Sequence, residues 1–248
     1  MNRYDFSHAR VGFLLALKND LKKSSEEVLI PDYICESIPN FLLANKIKIK
    51  FYKVNLNLRI DWNHLQKLIT RNSKFLIVVN YFGFPLDLEK SIVFAKTNKL
   101  ILIEDSTHCH NGKLRDKFLG TFGDYGLTSP RKHIPIRYGG TLFSKKNLNL
   151  NNLSIYYKSG IYDYINFFCS NKFLNVKLNI KKFIKNKISN LPCEYEEIIK
   201  MSLLDNFSKK IIYNTDWDSV SIYKNNNYKF LKEFCKKRNL NIIIKKEY

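Results

Sequence analysis

From residue 27 to residue 146 short apolar runs alternate with amphipathic stretches. The runs at 27–30, 47–54, 75–81, 100–103, 125–128 and 140–144 are rich in Val, Ile, Leu, Phe and Tyr and are bounded by turn-forming residues. They are short enough to be strands. Between them, 36–45, 61–70 and 86–98 carry apolar residues three or four apart, as in Leu65, Leu68 and Ile69. That spacing gives a helix one buried face. A further helix over 10–21 precedes the first strand. Alternating strands and helices predict an α/β fold with a mostly parallel sheet between helices. No internal repeat is visible, and the Asn runs beginning at 151 and 225 read as loops.

Farther along, 172–188 sets Phe173, Val176, Ile180, Phe183, Ile184 and Ile188 at helical spacing, with Lys177, Lys181 and Lys185 on another stripe. A helix over 223–237 and a strand over 240–244 are expected near the end. With 248 residues, 45% of them hydrophobic, the chain can bury a large core. No apolar run approaches the roughly 20 residues that span a bilayer. The stretch from Val11 to Leu17 runs into Lys18, Asn19 and Asp20 rather than a small-residue cleavage site, so a cytoplasmic protein without a membrane span is expected. Cys35, Cys109, Cys169, Cys193 and Cys235 are odd in number and contain no CxxC pair, which argues for reduced thiols. The net charge of +20 invites a nucleic-acid or anionic-membrane reading. The lysines, however, come with Asn and Ile throughout the chain, as A/T-rich coding produces, so solvated helix faces are the expectation and nucleic acid is not an expected partner.

Ligands of open α/β sheets sit at the carboxyl ends of strands. After 100–103 comes Glu104-Asp105-Ser106-Thr107-His108-Cys109-His110, and after 125–128 comes Ser129-Pro130-Arg131-Lys132-His133, closed by Gly139-Gly140. A carboxylate and a lysine at two such ends suggest a paired site. His108, Cys109, His110 and Cys35 do not follow the spacing of zinc sites, and no metal is expected.

The segments IPDYIC, VVNYFGFP, IEDSTHCHNG, GTFGDYGLTSPRK and GGTLF stand in the order and approximate spacing of the DegT/DnrJ/EryC1/StrS aminotransferases, which the chain resembles over residues 7–146 and more loosely beyond. The resemblance implies a type I pyridoxal-phosphate (PLP) transferase-like large domain over 1–150, a helical extension and connection over 151–215, and a partial small domain over 216–248. It makes Lys132 the residue that forms a Schiff base with pyridoxal 5′-phosphate and then shuttles a proton. Asp105 matches the aspartate that keeps the pyridine nitrogen protonated. His108 stands where the family usually has glutamine beside the cofactor's phenolic oxygen. Ser129, or Thr128 in its place, matches the phosphate-binding hydroxyl. Ser7-His8-Ala9-Arg10 would form the other half of the phosphate cup, with Ala9 replacing a glycine and Arg10 keeping a suitable charge. Cys35 occupies the place of an aromatic ring that stacks on the pyridine, and either covers the ring weakly or is a buried structural thiol. Some relatives are dehydratases with histidine at the lysine position. Lys132 argues against that chemistry, although His133 is its neighbour.

Family members continue well past this length, so the helix over 223–237 and the strand over 240–244 are expected to belong to an incomplete small domain. The expected function is PLP-dependent transamination of a nucleotide-linked keto-sugar, with an amino-acid donor such as glutamate, by a homodimer. Two alternatives stand beside it: a shortened, catalytically weak or inactive member of the same family, and a basic protein that binds nucleic acid or a membrane surface.

Overall fold

A computed structural model describes residues 1–151, 153–160, 163 and 201–240. Its centre is a seven-stranded sheet in the order β1 (Asn2–Phe6), β9 (Gly140–Ser144), β8 (Tyr125–Thr128), β5 (Ile101–Ser106), β4 (Ser73–Val79), β2 (Glu27–Pro31), β3 (Lys48–Tyr52). Only β9 runs against the rest, pairing antiparallel with β1 on one side and β8 on the other. Successive residues of the central strands feed opposite faces: Val28, Ile30, Phe75, Ile77 and Ile103 join one apolar cluster, while Leu29, Leu76, Val78 and Leu102 join another. Helices α1 (Ala9–Asp20) and α2 (Ser37–Ala44) cover the first face through Val11, Leu14, Leu17 and Leu42. Helices α3 (Trp62–Leu68) and α4 (Leu88–Thr97) cover the second through Leu65 and Ala95. Burial on both faces is why these strands read as apolar throughout.

Several elements depart from the sequence expectation. β1 was not anticipated, and the expected run 75–81 ends at Val79, with Tyr81–Gly83 forming a 3-10 turn instead. β5 continues through Glu104, Asp105 and Ser106, so the polar residues expected after the strand are its last three. A two-stranded hairpin, β6 (Lys113–Leu114) and β7 (Lys117–Phe118), follows it.

Past residue 200, Leu203 bridges Phe6 and the amide of Leu204 donates to Asp5 O at 3.1 Å, so this segment lies along β1. α5 (Asn206–Asn214) is capped by Asp205, which accepts from the amides of Phe207 and Ser208, and it packs Ile211 and Ile212 on Ile136 and Tyr138. α6 (Trp217–Lys237) begins six residues before the expected start, capped by Asp216 at the amides of Asp218 and Ser219, and Asn225, Asn226 and Asn227 lie within it rather than in a loop. It meets the sheet's carboxyl edge through Trp217 on His110 and Tyr228 on Phe84. The expected helix over 172–188 lies outside the described residues, as does all but Leu240 of the strand over 240–244.

A polar cluster ties the end of α1 to the opposite end of the sheet. The Tyr125 hydroxyl donates to Asp20 Oδ2 at 2.5 Å and accepts from Asn19 Nδ2 at 2.9 Å, and Lys146 Nζ lies 2.5 Å from Asp20 Oδ1. Burial alone would raise the Asp20 pKa, but Lys146, Tyr125 and Asn19 together hold it below its ordinary value. Tyr125→Phe is expected to cost about 1.5–3 kcal/mol in urea unfolding near neutral pH, as loss of a hydrogen bond to a charged group does. Because the folded value is depressed, the contribution is full above the ordinary carboxylate range and is lost as pH falls through the folded value. The gap between variant and parent should therefore narrow in acid.

Candidate functional site

The carboxyl ends of β4, β5 and β8 open on one cavity of about 130 Å³. Asp105, next to last in β5, is 7% exposed, and its Oδ1 accepts from the Thr107 amide at 3.0 Å. β8 ends at Thr128, and Pro130 at the first position of the following 3-10 turn brings Lys132 round to the same opening. Lys132 and Asp105 both line the cavity, and Lys132 Nζ lies 3.5 Å from Thr107 Oγ1. Partial burial lowers the Lys132 pKa, Asp105 opposes that shift, and the neighbouring Arg131 adds to it. The side chain keeps contact with solvent.

The start of α1 forms another wall, where Ala9 and Arg10 line the cavity. The N-cap residue His8 makes no side-chain cap bond, and its Nδ1 lies 3.0 Å from Ser7 Oγ. The strand β9 passes very close to this helix start: a Cβ on Gly140 would lie 2.1 Å from the Ala9 amide nitrogen, so no side chain fits there. Ser129 lines the cavity and donates from Oγ to Gly139 O at 3.2 Å. Thr128 does not line it: its hydroxyl pairs with His110 Nδ1 at 2.9 Å.

The other residues singled out from the sequence reach the same cavity. His108 lines it, with its Nδ1 3.2 Å from the Phe82 amide. Burial, with Lys132 nearby, lowers the His108 pKa against the opposing pull of Asp105. Cys35 also lines it, exposed rather than buried, with Sγ 3.1 Å from Ser37 Oγ. His133 is not among the lining residues, and both its ring nitrogens are buried without a hydrogen-bond partner. His110 packs its ring 4.3 Å from Trp217, and burial lowers its pKa to about 4, so it stays neutral. Sequence reasoning missed Arg131 and Thr107 as lining residues. Their signal was position alone, one residue before the lysine and two after the aspartate. A larger cavity, about 560 Å³, lies between the start of α4 and the β6–β7 hairpin. There Arg115 pairs with Glu89 at 2.9 Å, and the lysine and carboxylate of the sheet edge do not reach it.

A sheet with one reversed strand, helices on both faces, and a lysine facing a buried carboxylate across adjacent strand ends defines an α/β protein with the fold of the pyridoxal-phosphate aminotransferases. The chain belongs to the DegT/DnrJ/EryC1/StrS aminotransferase family, which matches residues 6–182. Among curated relatives, GDP-perosamine synthase of Escherichia coli O157:H7 is 28% identical over 125 residues, 50% of this chain and 34% of that protein. Among solved structures, the aminotransferase TlmJ from Streptoalloteichus hindustanus superposes with a TM-score of 0.54 at 22% identity, covering 58% of this chain and 40% of that one. A GDP-4-keto-6-deoxymannose-3-dehydratase with a trapped PLP-glutamate geminal diamine gives 0.52 at 25% identity, covering 58% and 40%. The matched part thus spans well under half of each relative's length. Among the described residues no helix is long and apolar enough to cross a membrane.

Proposed function

We propose that this chain binds pyridoxal 5′-phosphate at Lys132 and moves an amino group from an amino acid, with glutamate as donor, onto a nucleotide-linked keto-sugar. The observation that carries this reading is the single cavity shared by the Lys132 amine and the buried Asp105 carboxylate. The residues fit the group: an amine for its carbonyl carbon, a carboxylate for its ring nitrogen, and the Ser129 hydroxyl with the start of α1 for its phosphate. Of the two hydroxyls considered, Ser129 is favoured because it lines the cavity and Thr128 does not. When bound, the cofactor supplies an electron sink that acidifies a C–H bond beside the substrate nitrogen. Lys132 then takes that proton at Nζ and returns it to a neighbouring carbon, helped by an ammonium whose pKa burial has lowered. Asp105 holds the proton on the ring nitrogen, and Cys35 offers a small apolar wall.

Relatives include a dehydratase, but a lysine lining the cavity and a neighbouring histidine absent from its lining support amino transfer. The cytoplasmic homodimer and the division at 150 and 215 belong to the same reading. The basic-binder alternative rests on the charge of +20 alone. The test is to add pyridoxal phosphate and glutamate to the purified chain and to follow both the visible spectrum and exchange of the glutamate α-hydrogen for deuterium. Asp105→Asn is expected to keep part of the cofactor binding while slowing exchange by roughly 100-fold or more, the scale of losing one electrostatic stabiliser from an enclosed site. Equal exchange by variant and parent rules out the tuning role. Cofactor binding without exchange in the parent marks the inactive alternative.

A further inference from the structure

The Tyr81–Gly83 turn and the loop after β5 meet at His108. The Phe82 amide lies 3.2 Å from His108 Nδ1, and the two rings stack with centroids 5.8 Å apart and planes 17° apart. Phe82 holds a φ of 54°, in the left-handed region that bulky residues rarely adopt. It is also 60% exposed, so neither local preference nor burial accounts for this conformation. A backbone amide can only donate. Nδ1 is therefore an acceptor without a proton, and the neutral imidazole carries its hydrogen on Nε2.

We propose that Phe82 is a positioning residue whose amide and ring lock His108 as an Nε2–H donor to an anionic oxygen of the ligand in the Lys132–Asp105 cavity, and that acid releases this lock. The identity of the oxygen, the ring hydroxyl of pyridoxal phosphate, rests on the function proposed above; the lock itself does not. The charges acting on the imidazole come from Lys132 in the turn after β8 and Asp105 at the end of β5, while Arg10, Arg131 and Cys35 line the same cavity. Protonating Nδ1 would set two donors against each other, so the Phe82 bond must open before the cation can form. Burial and Lys132 already disfavour that cation. The lock is therefore closed at neutral pH and opens only as pH falls below the ordinary imidazole value of about 6.5.

Nuclear magnetic resonance on the ¹⁵N-labelled full chain, free of cofactor, reads the lock directly. At neutral pH a coupling through the hydrogen bond is expected between the Phe82 amide nitrogen and His108 Nδ1, and it should vanish in step with protonation of Nδ1 in acid. Phe82→Gly, which keeps the amide but removes the ring and the fixed φ, should weaken the coupling. A second arm compares equilibrium binding of pyridoxal phosphate with that of its 3-deoxy analogue. The parent should prefer the former by roughly 10- to 100-fold, the scale of a hydrogen bond to a charged partner. His108→Gln, which offers an acceptor and a donor at once, should keep the preference, and His108→Phe should lose it. A proton on Nδ1 at neutral pH, an absent coupling in the folded parent, or an unchanged preference in His108→Phe would overturn the proposal. A coupling with no binding of either compound supports the lock and sinks the cofactor reading instead.

Discussion

Lys132→Ala is expected to abolish covalent capture of pyridoxal phosphate and to reduce any amino transfer by at least about 1,000-fold, because a nucleophile that works as a unit with its site leaves only residual catalysis when removed. The measurement is borohydride reduction of the loaded chain followed by peptide mass spectrometry, which should place the added mass on the peptide containing Lys132 in the parent and nowhere in the variant. With lysines spread along the whole chain, non-specific labelling is the main rival explanation. The control must therefore be another lysine. Lys146 is unsuitable, since its ammonium sits 2.5 Å from Asp20 in the cluster that anchors α1. Lys96, exposed in the last turn of α4, is a cleaner choice, and Lys96→Ala should leave labelling and spectrum unchanged. Labelling that persists in Lys132→Ala, or that spreads over many lysines in the parent, would remove the basis for assigning this residue.

The spacing of apolar residues was sufficient to find the central strands and the helices on both faces, because burial on two sides leaves a continuous apolar run and burial on one side leaves a stripe. It failed where the local sequence carries another signal. In β1 the sequence Asn-Arg-Tyr-Asp-Phe buries only Phe6, and its pairing with β9 joins residues more than a hundred positions apart. The end of β5 reads as a loop because it is polar, yet Glu104 and Asp105 stay in the strand, paired with Val78 and Val79 of β4. Tyr81 and Phe82 look like a strand continuation, but the chain turns at Asn80, whose side chain is drawn inward to Glu104 and Ser106. The start of α6 was expected at residue 223, although Asp216 already supplies a capping carboxylate ahead of it. At the site, Lys132, Asp105, His108, Ser129, Ala9, Arg10 and Cys35 were each named from motif positions, and all line one cavity. The contact between Phe82 and His108 was invisible, since no periodicity connects a turn to a loop 26 residues away.

Glu104 links fold and site, and its replacement should have the largest effect on stability. It is fully buried, with Oε1 accepting from the Gly120 amide at 2.6 Å, Asn80 Nδ2 at 3.0 Å and Ser106 Oγ at 2.9 Å, and Oε2 accepting from the Phe122 amide at 2.8 Å. These bonds hold the 119–123 loop against the end of β5, and that loop leads directly into β8 and on to Ser129 and Lys132. Glu104→Ala takes the acceptor from the Gly120 and Phe122 amides and from the Ser106 hydroxyl, and leaves Asn80 Nδ2 only its bond to Ser106 Oγ, so the cost should reach about 3–5 kcal/mol, as when one partner of a buried charged network is removed. Glu104→Gln separates charge from shape. It keeps the volume but turns an NH₂ group toward at least one donor, so it should also destabilise, by less than alanine because the cavity stays filled. Urea unfolding of the three proteins checks the order. A Glu104→Gln protein as stable as the parent would mean that neither the charge nor the second acceptor oxygen is needed to hold the loop that carries Lys132.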